Sequence, residues 1–233
     1  MKEPVSIPPG DPNFEQVVRR RVKAELRKRM RGLRATTPES ACAARSSQIV
    51  ARLREMPALR EARSVALFWP IEARREVDLR SLDQELRAKN VRLFYPTIDG
   101  ESLVMTFKLV PDVAQLAEAG FGFAEPASDA EAAREGELDA IVVPALAVDP
   151  AGYRIGYGKG YYDRTLPRFA PPAVTIAVAY DFQLISEVPI TEGDVSVDWI
   201  VTDQRGWRAQ NQQGAEAGAE GAPVARRRLS RGE

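Results

Sequence analysis

The chain has no histidine and only one cysteine, Cys42, among its 233 residues. Without imidazole it can build neither a Ser-His-Asp triad, nor a Cys-His pair, nor a histidine metal site. Cys42 has no second thiol for a disulfide or a C-x-x-C redox pair. Set among small residues on an expected helix, it reads as a buried structural thiol. An excess charge of one sign is missing too: 33 basic residues face 33 acidic ones, so no overall field draws the protein to nucleic acid or to a membrane. No apolar run approaches the ~18 residues that span a bilayer. Residues 1–13 carry four prolines and no apolar signal-peptide core, so a soluble, cytoplasmic protein is expected. Catalysis by this chain would run on carboxylates, lysine, arginine, tyrosine and a bound metal. Phosphoryl transfer can run on that set, because it depends on positioning and charge neutralisation.

With 44% hydrophobic residues, the chain can bury one good core. Helical and strand periods alternate along it. Helices are expected over residues 14–34, 38–56 and 78–89, with Thr37 as cap and Pro38 in the first turn of the second. Strands are expected at 64–69, 91–95, 103–109, 138–148, 174–180 and 199–202, and a helix begins at 161. Strands alternating with helices argue an α/β layered protein with a mostly parallel sheet. Residues 14–205 read as one domain. Residues 1–13 and the low-complexity stretch 206–233, which holds the basic cluster Arg226 to Arg228, read as disordered extensions. On the first helix, Val18, Val22, Leu26, Met30 and Leu33 recur at helical spacing as a stripe expected to be buried. Lys23, Arg27, Arg31 and Arg34 form a basic row beside it, which fits either a solvated face with i,i+4 partners or an RNA-binding one.

Residues 142–164 hold an apolar run, a turn, Arg154, glycines at 156, 158 and 160, Lys159 and Asp163. Glycines remove β-carbons that would keep a ligand from the main-chain N–H groups, and Lys159 adds a full positive charge. A Walker loop needs Ser or Thr after its Gly-Lys, whereas Gly160 follows Lys159; a dinucleotide fingerprint needs G-x-G-x-x-G, whereas the spacing is G-x-G-x-G. Two readings fit what is left: a phosphate cradle, or a glycine-rich turn with Tyr161 and Tyr162 packed in the core.

The full string Arg154-Ile-Gly-Tyr-Gly-Lys-Gly-Tyr-Tyr-Asp163 resembles the signature of the 5-formyltetrahydrofolate cyclo-ligase (methenyltetrahydrofolate synthetase) family, and the likeness runs from about Lys23 to Asp203. The resemblance implies a three-layer α/β sandwich with a mostly parallel, mixed sheet, and ATP and Mg²⁺ as cofactors. It implies that Lys23-Ala-Glu-Leu-Arg27 reaches the ATP phosphates together with Arg154, Gly156, Tyr157, Gly158, Lys159, Gly160, Tyr161 and Tyr162. Lys159, Arg154 and Tyr162 are the catalytic candidates.

The same resemblance implies a folate-binding glutamate in a Glu-Val-Asp element, matched by Glu76. The loop before it is longer here than the family's usual form, so Glu72 competes, and Ile71 is a candidate pocket wall. Phe121, in Phe121-Gly-Phe-Ala-Glu-Pro126, matches a segment that lays a side chain on the folate; core packing of either phenylalanine is the alternative. Asp163 and Asp194 are implied magnesium contacts, with Asp198 close enough to dispute the second. Arg74, Arg75 and Arg92 are candidates for recognising polyglutamylated folate.

The implied reaction overcomes a poor leaving group. The formyl oxygen takes the γ-phosphoryl group of ATP, N10 attacks the activated carbon, and phosphate departs as the methenyl ring closes. The expected partner is a reduced folate, with no nucleic acid or membrane. Two alternatives stay open from sequence: a non-catalytic nucleotide- or folate-binding relative, and an isomerase or CoA-transferase-like enzyme on a similar fold.

Overall fold

Strand residues of this chain send apolar side chains to both faces in alternation, the signature of a sheet covered on both sides. Val65, Leu93, Tyr95, Val142, Ile176 and Val178 face one cluster, while Ala66, Phe94, Ile141, Val143 and Ala177 face another, and all are essentially buried. The computed structural model describes residues 13–118 and 122–210. In chain order these form α1 (Phe14–Thr36), α2 (Glu39–Glu55), α3 (Pro57–Arg60), β1 (Ser64–Ala66), α4 (Arg80–Ala88), β2 (Arg92–Ile98), β3 (Met105–Leu109), β4 (Ala117–Glu118), β5 (Ala124–Glu125), β6 (Ala140–Pro144), β7 (Ala147–Val148), β8 (Arg154–Ile155), α5 (Tyr161–Thr165), β9 (Val174–Val178), β10 (Trp199–Val201) and β11 (Gly206–Arg208).

Seven strands make the main sheet in the order β11-β10-β9-β6-β1-β2-β3. Its five inner strands run parallel, and the outer two, β3 and β11, are antiparallel to their neighbours. This is the expected mostly parallel, mixed α/β sheet. On one face α2 and α4 bury Ile49, Val50, Leu53, Leu82 and Leu86. Each such side chain contributes about 2 kcal/mol by leaving water. The other face is covered by Leu166 and Phe169, the latter edge-on to Phe107 at 5.4 Å, and by Val148 and Val197. Cys42 is buried in the first cluster, as a structural thiol. Among the described residues no helix is long and apolar enough to cross a membrane.

Three sequence expectations are corrected. The run 138–148 is not one strand: β6 ends at Pro144, and Ala147–Val148 pairs instead with Arg154–Ile155 in a separate hairpin. That hairpin carries the signature out over the carboxyl end of the sheet. Gly206–Arg208, assigned by composition to the tail, is an edge strand whose Trp207 packs on the second cluster; the rest of the tail from residue 211, Arg226 to Arg228 included, and residues 1–12 lie outside the described residues.

The third correction concerns α1. Phe14, Val18, Val22 and Leu33 are 38–43% exposed, whereas Lys23, Met30 and Arg34 are buried. The helix does not pack on the sheet. It lies across β7, β8 and the loop after β1, with Met30 and Leu26 touching a small cluster of Leu146, Ile155 and Val188. Lys23, Arg27 and Arg34 of the basic row therefore lie inward together with Leu26 and Met30, while Arg31 is exposed.

Candidate active site

A cavity of about 960 Å³ opens between α1, the loops at the carboxyl ends of β1 and β6, and the segment 191–194. Such crevices at strand carboxyl ends are where open α/β sheets bind ligands. Lys23, Arg27, Ile71, Glu76, Arg154, Gly156, Tyr157, Gly158, Lys159, Gly160, Tyr161, Tyr162, Asp163 and Asp194 all line it. Phe121 lies outside the described residues; Phe123, two positions on, is at the cavity wall.

The signature loop has the backbone that its glycines suggest. Gly158 and Gly160 hold φ of 96° and 65°, and a β-carbon on Gly158 would come within 3.1 Å of Arg27 Cζ. Gly156 differs: nothing in the protein lies within 4 Å of where its β-carbon would sit. Its bareness serves the open space of the cavity rather than the protein's own packing.

Cations converge on this loop from two directions. From α1, Arg27 Nε donates to Gly156 O at 3.0 Å, and Lys23 Nζ donates to Thr191 Oγ1 at 2.9 Å and forms an ion pair with Asp194. From β8, Arg154 donates to Val195 O at 2.8 Å and to Asp163 Oδ1 at 3.0 Å. Burial pulls the Arg27 and Arg154 guanidinium pKa values down from their usual height, and Asp194 and Asp163 respectively pull them back up. Lys159 is exposed, and its ammonium has no bonded partner among the described residues. Together these groups form a positive bowl suited to phosphate oxygens.

Glu76, also on the cavity wall, is 7% exposed. Its Oε2 accepts from Ile71 N at 3.0 Å and its Oε1 from the Tyr157 hydroxyl. Tyr157 accepts in turn from Arg34 at 2.6 Å. Burial, then the Glu76 charge, pushes the Tyr157 pKa up to about 12, and the same two causes raise that of Tyr162. Both phenols stay protonated donors at neutral pH. Trp69, Ile71, Ile98, Met105 and Phe123 supply apolar wall beside Glu76, a combination suited to a flat ring with a hydrogen-bonding edge.

The competing carboxylates separate cleanly. Glu72 is turned to solvent and paired with Arg80 at 2.5 Å. Asp198 accepts from Thr175 N and Oγ1 at 2.8 and 2.7 Å, fastening β9 to the approach of β10. Of the three further arginines, Arg75 is tied to the carbonyls of Ala35 and Thr37, and Arg92 to Glu131 and Glu137. Only Arg74 lines the cavity, stacked 4.7 Å above the Tyr157 ring. Sequence reasoning passed over Arg34, although its place in the four-residue basic row marked it.

The donor set also fits a divalent cation. Asp163 Oδ1 accepts from Val195 N at 3.4 Å, which brings it beside Asp194. The second oxygens, Asp163 Oδ2 and Asp194 Oδ1, carry no hydrogen bond among the described residues. No group of three or more acidic or thiol ligands occurs among the described residues. Two carboxylates beside a phosphate bowl suit magnesium, which keeps waters and shares substrate phosphates.

A family model, the 5-formyltetrahydrofolate cyclo-ligase family, matches residues 19–203. The chain belongs to this family. The match takes in every residue lining the cavity, from Arg20 to Asp194. Among cyclo-ligase relatives, a 5-formyltetrahydrofolate cyclo-ligase of Mycolicibacterium smegmatis is 46% identical over 92 residues, covering 39% of this chain and 47% of that relative, just under half its length. The Escherichia coli K12 cyclo-ligase is 27% identical over 180 residues, covering 75% of this chain and 96% of the relative. The NMR structure of Aquifex aeolicus 5,10-methenyltetrahydrofolate synthetase superimposes with a TM-score of 0.71 at 34% identity, covering 82% of this chain and 94% of that one. The α/β fold described above is thus shared with that solved methenyltetrahydrofolate synthetase.

Proposed function

We propose that the chain closes 5-formyltetrahydrofolate to 5,10-methenyltetrahydrofolate at the expense of ATP, with Mg²⁺, releasing ADP and phosphate. The observation that carries this reading is one cavity lined both by a cationic bowl and by a buried carboxylate with apolar wall. Family membership supports the folate substrate, and the bowl supports the nucleotide.

Each group then has work to do. Glu76, already fixed by Ile71 N and Tyr157, accepts hydrogen bonds from the pterin edge, and Trp69, Ile71 and Phe123 cover the ring faces. Lys159, Arg154, Lys23 and Arg27 spread the negative charge of the phosphoryl group as it passes to the formyl oxygen, the main requirement of such transfer. Asp163 and Asp194 would hold the metal, whose chemistry is to neutralise phosphate charge. Tyr162, whose protonated phenol lines the cavity, is available to donate a hydrogen bond to the bound substrate. No side chain must remove a proton to begin the reaction, in keeping with the absence of histidine. The formyl carbon, once its oxygen is phosphorylated, is attacked by N10, which gives up its proton to the departing phosphate or to water as the C–O bond breaks, and phosphate is a far better leaving group than hydroxide.

The test is direct. Purified protein mixed with 5-formyltetrahydrofolate, ATP and Mg²⁺ should produce the methenyl chromophore, followed by absorbance, and Lys159→Ala should abolish most of the rate. No chromophore with any nucleotide would end this reading. Location in the cytoplasm and indifference to nucleic acid and membranes are part of the same proposal, supported by the balanced charge of the chain.

A further inference from the structure

Tyr157 serves two parts of the cavity at once. Its main chain belongs to the signature loop, where the N–H groups of residues 156–160 donate to no main-chain carbonyl among the described residues, although all five residues line the cavity. An anion entering the loop meets donors that the fold leaves unused. The side chain reaches the folate carboxylate instead. The ring centroid lies 4.7 Å from Arg74 Cζ and 6.0 Å from Arg34 Cζ, and the hydroxyl donates to Glu76 Oε1 while accepting from Arg34. Glu76 Oε2 is held separately by Ile71 N. The plane of that carboxylate thus depends on two bonds, one from its own loop and one from the signature loop. Gly156 and Gly158 flank Tyr157, and Gly158 holds a φ of 96°. With no β-carbon on either neighbour, this stretch takes its shape from what it is bonded to, which here is Arg27 on the Gly156 carbonyl and Glu76 on the phenol.

We infer that the Tyr157 hydroxyl links the two substrates, so that nucleotide in the signature loop and folate at Glu76 each tighten the binding of the other. Phosphate oxygens that engage the loop's N–H groups fix the main chain of residue 157, and with it the phenol that orients Glu76 toward the pterin edge. Folate that meets Glu76 first fixes the same residue through its side chain. Whichever ligand arrives first orders the loop, and the second finds it ordered. Tyr157 is in this sense a positioning residue that acts through Glu76. This rests on the nucleotide and folate readings given above.

The test needs binding without turnover. Adenylyl imidodiphosphate with Mg²⁺, whose terminal phosphoryl group is not transferred, and 5-formyltetrahydrofolate are each titrated calorimetrically into the full-length protein, alone and with the other ligand saturating. In the unaltered protein each should tighten the other by the same factor, roughly fivefold or more. Tyr157→Phe keeps the main chain, the ring and its arginine neighbours, and removes only the hydroxyl. Its affinity for the nucleotide analogue alone should stay within about twofold of the parent, while the mutual tightening falls to about onefold. A merely structural role for Tyr157 would weaken both ligands or lower thermal stability and leave the mutual factor unchanged. Mutual tightening in Tyr157→Phe as large as in the parent would overturn the inference. So would independent or antagonistic binding of the two ligands to the unaltered protein, a result that needs no variant and leaves the nucleotide and folate readings intact. A Tyr157→Phe protein that takes the analogue but binds folate neither with it nor without it would make the hydroxyl a folate contact alone, again against the inference. Failure of the unaltered protein to bind one or both ligands would sink the proposed function and this inference together.

Discussion

Arg34 and Glu76 lie 3.9 Å apart with both side chains only 4% exposed, and the Tyr157 hydroxyl bridges them. Three separate stretches of chain meet there: α1, the loop after β1 and the signature loop. The pair therefore fastens the helix that brings Lys23 and Arg27 to the loop that brings Glu76. Arg34 Nε has no partner of its own among the described residues, so the position of the guanidinium rests on this pair and on Tyr157.

A buried pair of this kind should reveal itself in a double-mutant cycle. Arg34→Met leaves the Glu76 carboxylate buried with only the Tyr157 hydroxyl and Ile71 N as donors and no opposite charge, and should cost ~3 kcal/mol in urea unfolding. Arg34→Met combined with Glu76→Gln should recover most of that loss, because neither charge is then stranded. Purely additive losses would mean that the two residues act independently.

The glycines of the signature should divide into two kinds. Gly158→Ala places a β-carbon against Arg27 in a left-handed backbone, and should destabilise the fold by ~1–2 kcal/mol as well as weaken nucleotide binding. Gly156→Ala meets nothing in the protein, so its unfolding curve should match the parent within ~0.5 kcal/mol while KM for ATP rises. A normal KM for Gly156→Ala would remove this residue from the bowl.

The two faces of α1 supply a third prediction. Val18→Ser and Val22→Ser, both on the exposed stripe, should change stability by under ~0.5 kcal/mol. Met30→Ala should cost ~2–4 kcal/mol, since Met30 is 3% exposed against Leu146 and Ile155. Thermal unfolding of the three variants would show it. Equal losses at all three positions would mean that the stripe is covered.

That face reversal shows where reading the sequence stops. Periodicity reports that one side of a helix is apolar, and the usual inference is that this side meets the core. Here the neighbour of α1 is an anion-binding cavity, and the residues it needs inside are Lys23, Arg27 and Arg34. Nothing local in residues 14–36 says so; the partners, Gly156, Tyr157 and Asp194, lie far along the chain. By contrast the parallel strands were legible, because a short run of apolar, β-branched residues such as Ile141, Val142, Val143 is a local signal of a strand buried on both faces. The break after β6 was hidden because the apolar run continues through Ala145 to Val148 on both sides of it, buried in either arrangement. Gly206–Arg208 was hidden because it adjoins a stretch rich in glutamine, glycine and alanine, and only its pairing with Trp199–Val201 reveals a strand. Glu76 and Glu72 could be told apart only by burial, which the geometry of the loop between them decides.

Acid should loosen the fold through Asp139. This carboxylate accepts from Arg63 N at 2.8 Å and from Ser64 N and Oγ at 2.9 Å each, clipping the start of β1 to the start of β6. Burial works to raise its pKa, but the backbone and hydroxyl donors outweigh it, so the carboxyl is held below the usual aspartate value. Its folded pKa is therefore depressed relative to the unfolded chain. It stabilises the protein above the unfolded value of ~3.9, and that contribution disappears as pH falls through the lower folded value. Unfolding free energy measured by denaturant should accordingly decline from about pH 5 to about pH 2. Asp139→Asn should be less stable than the parent at neutral pH and show a shallower decline over that range. The decline should not vanish, because Asp181, bonded by Arg205, is held low as well. A variant whose curve runs parallel to the parent throughout would show that Asp139 does not titrate with folding.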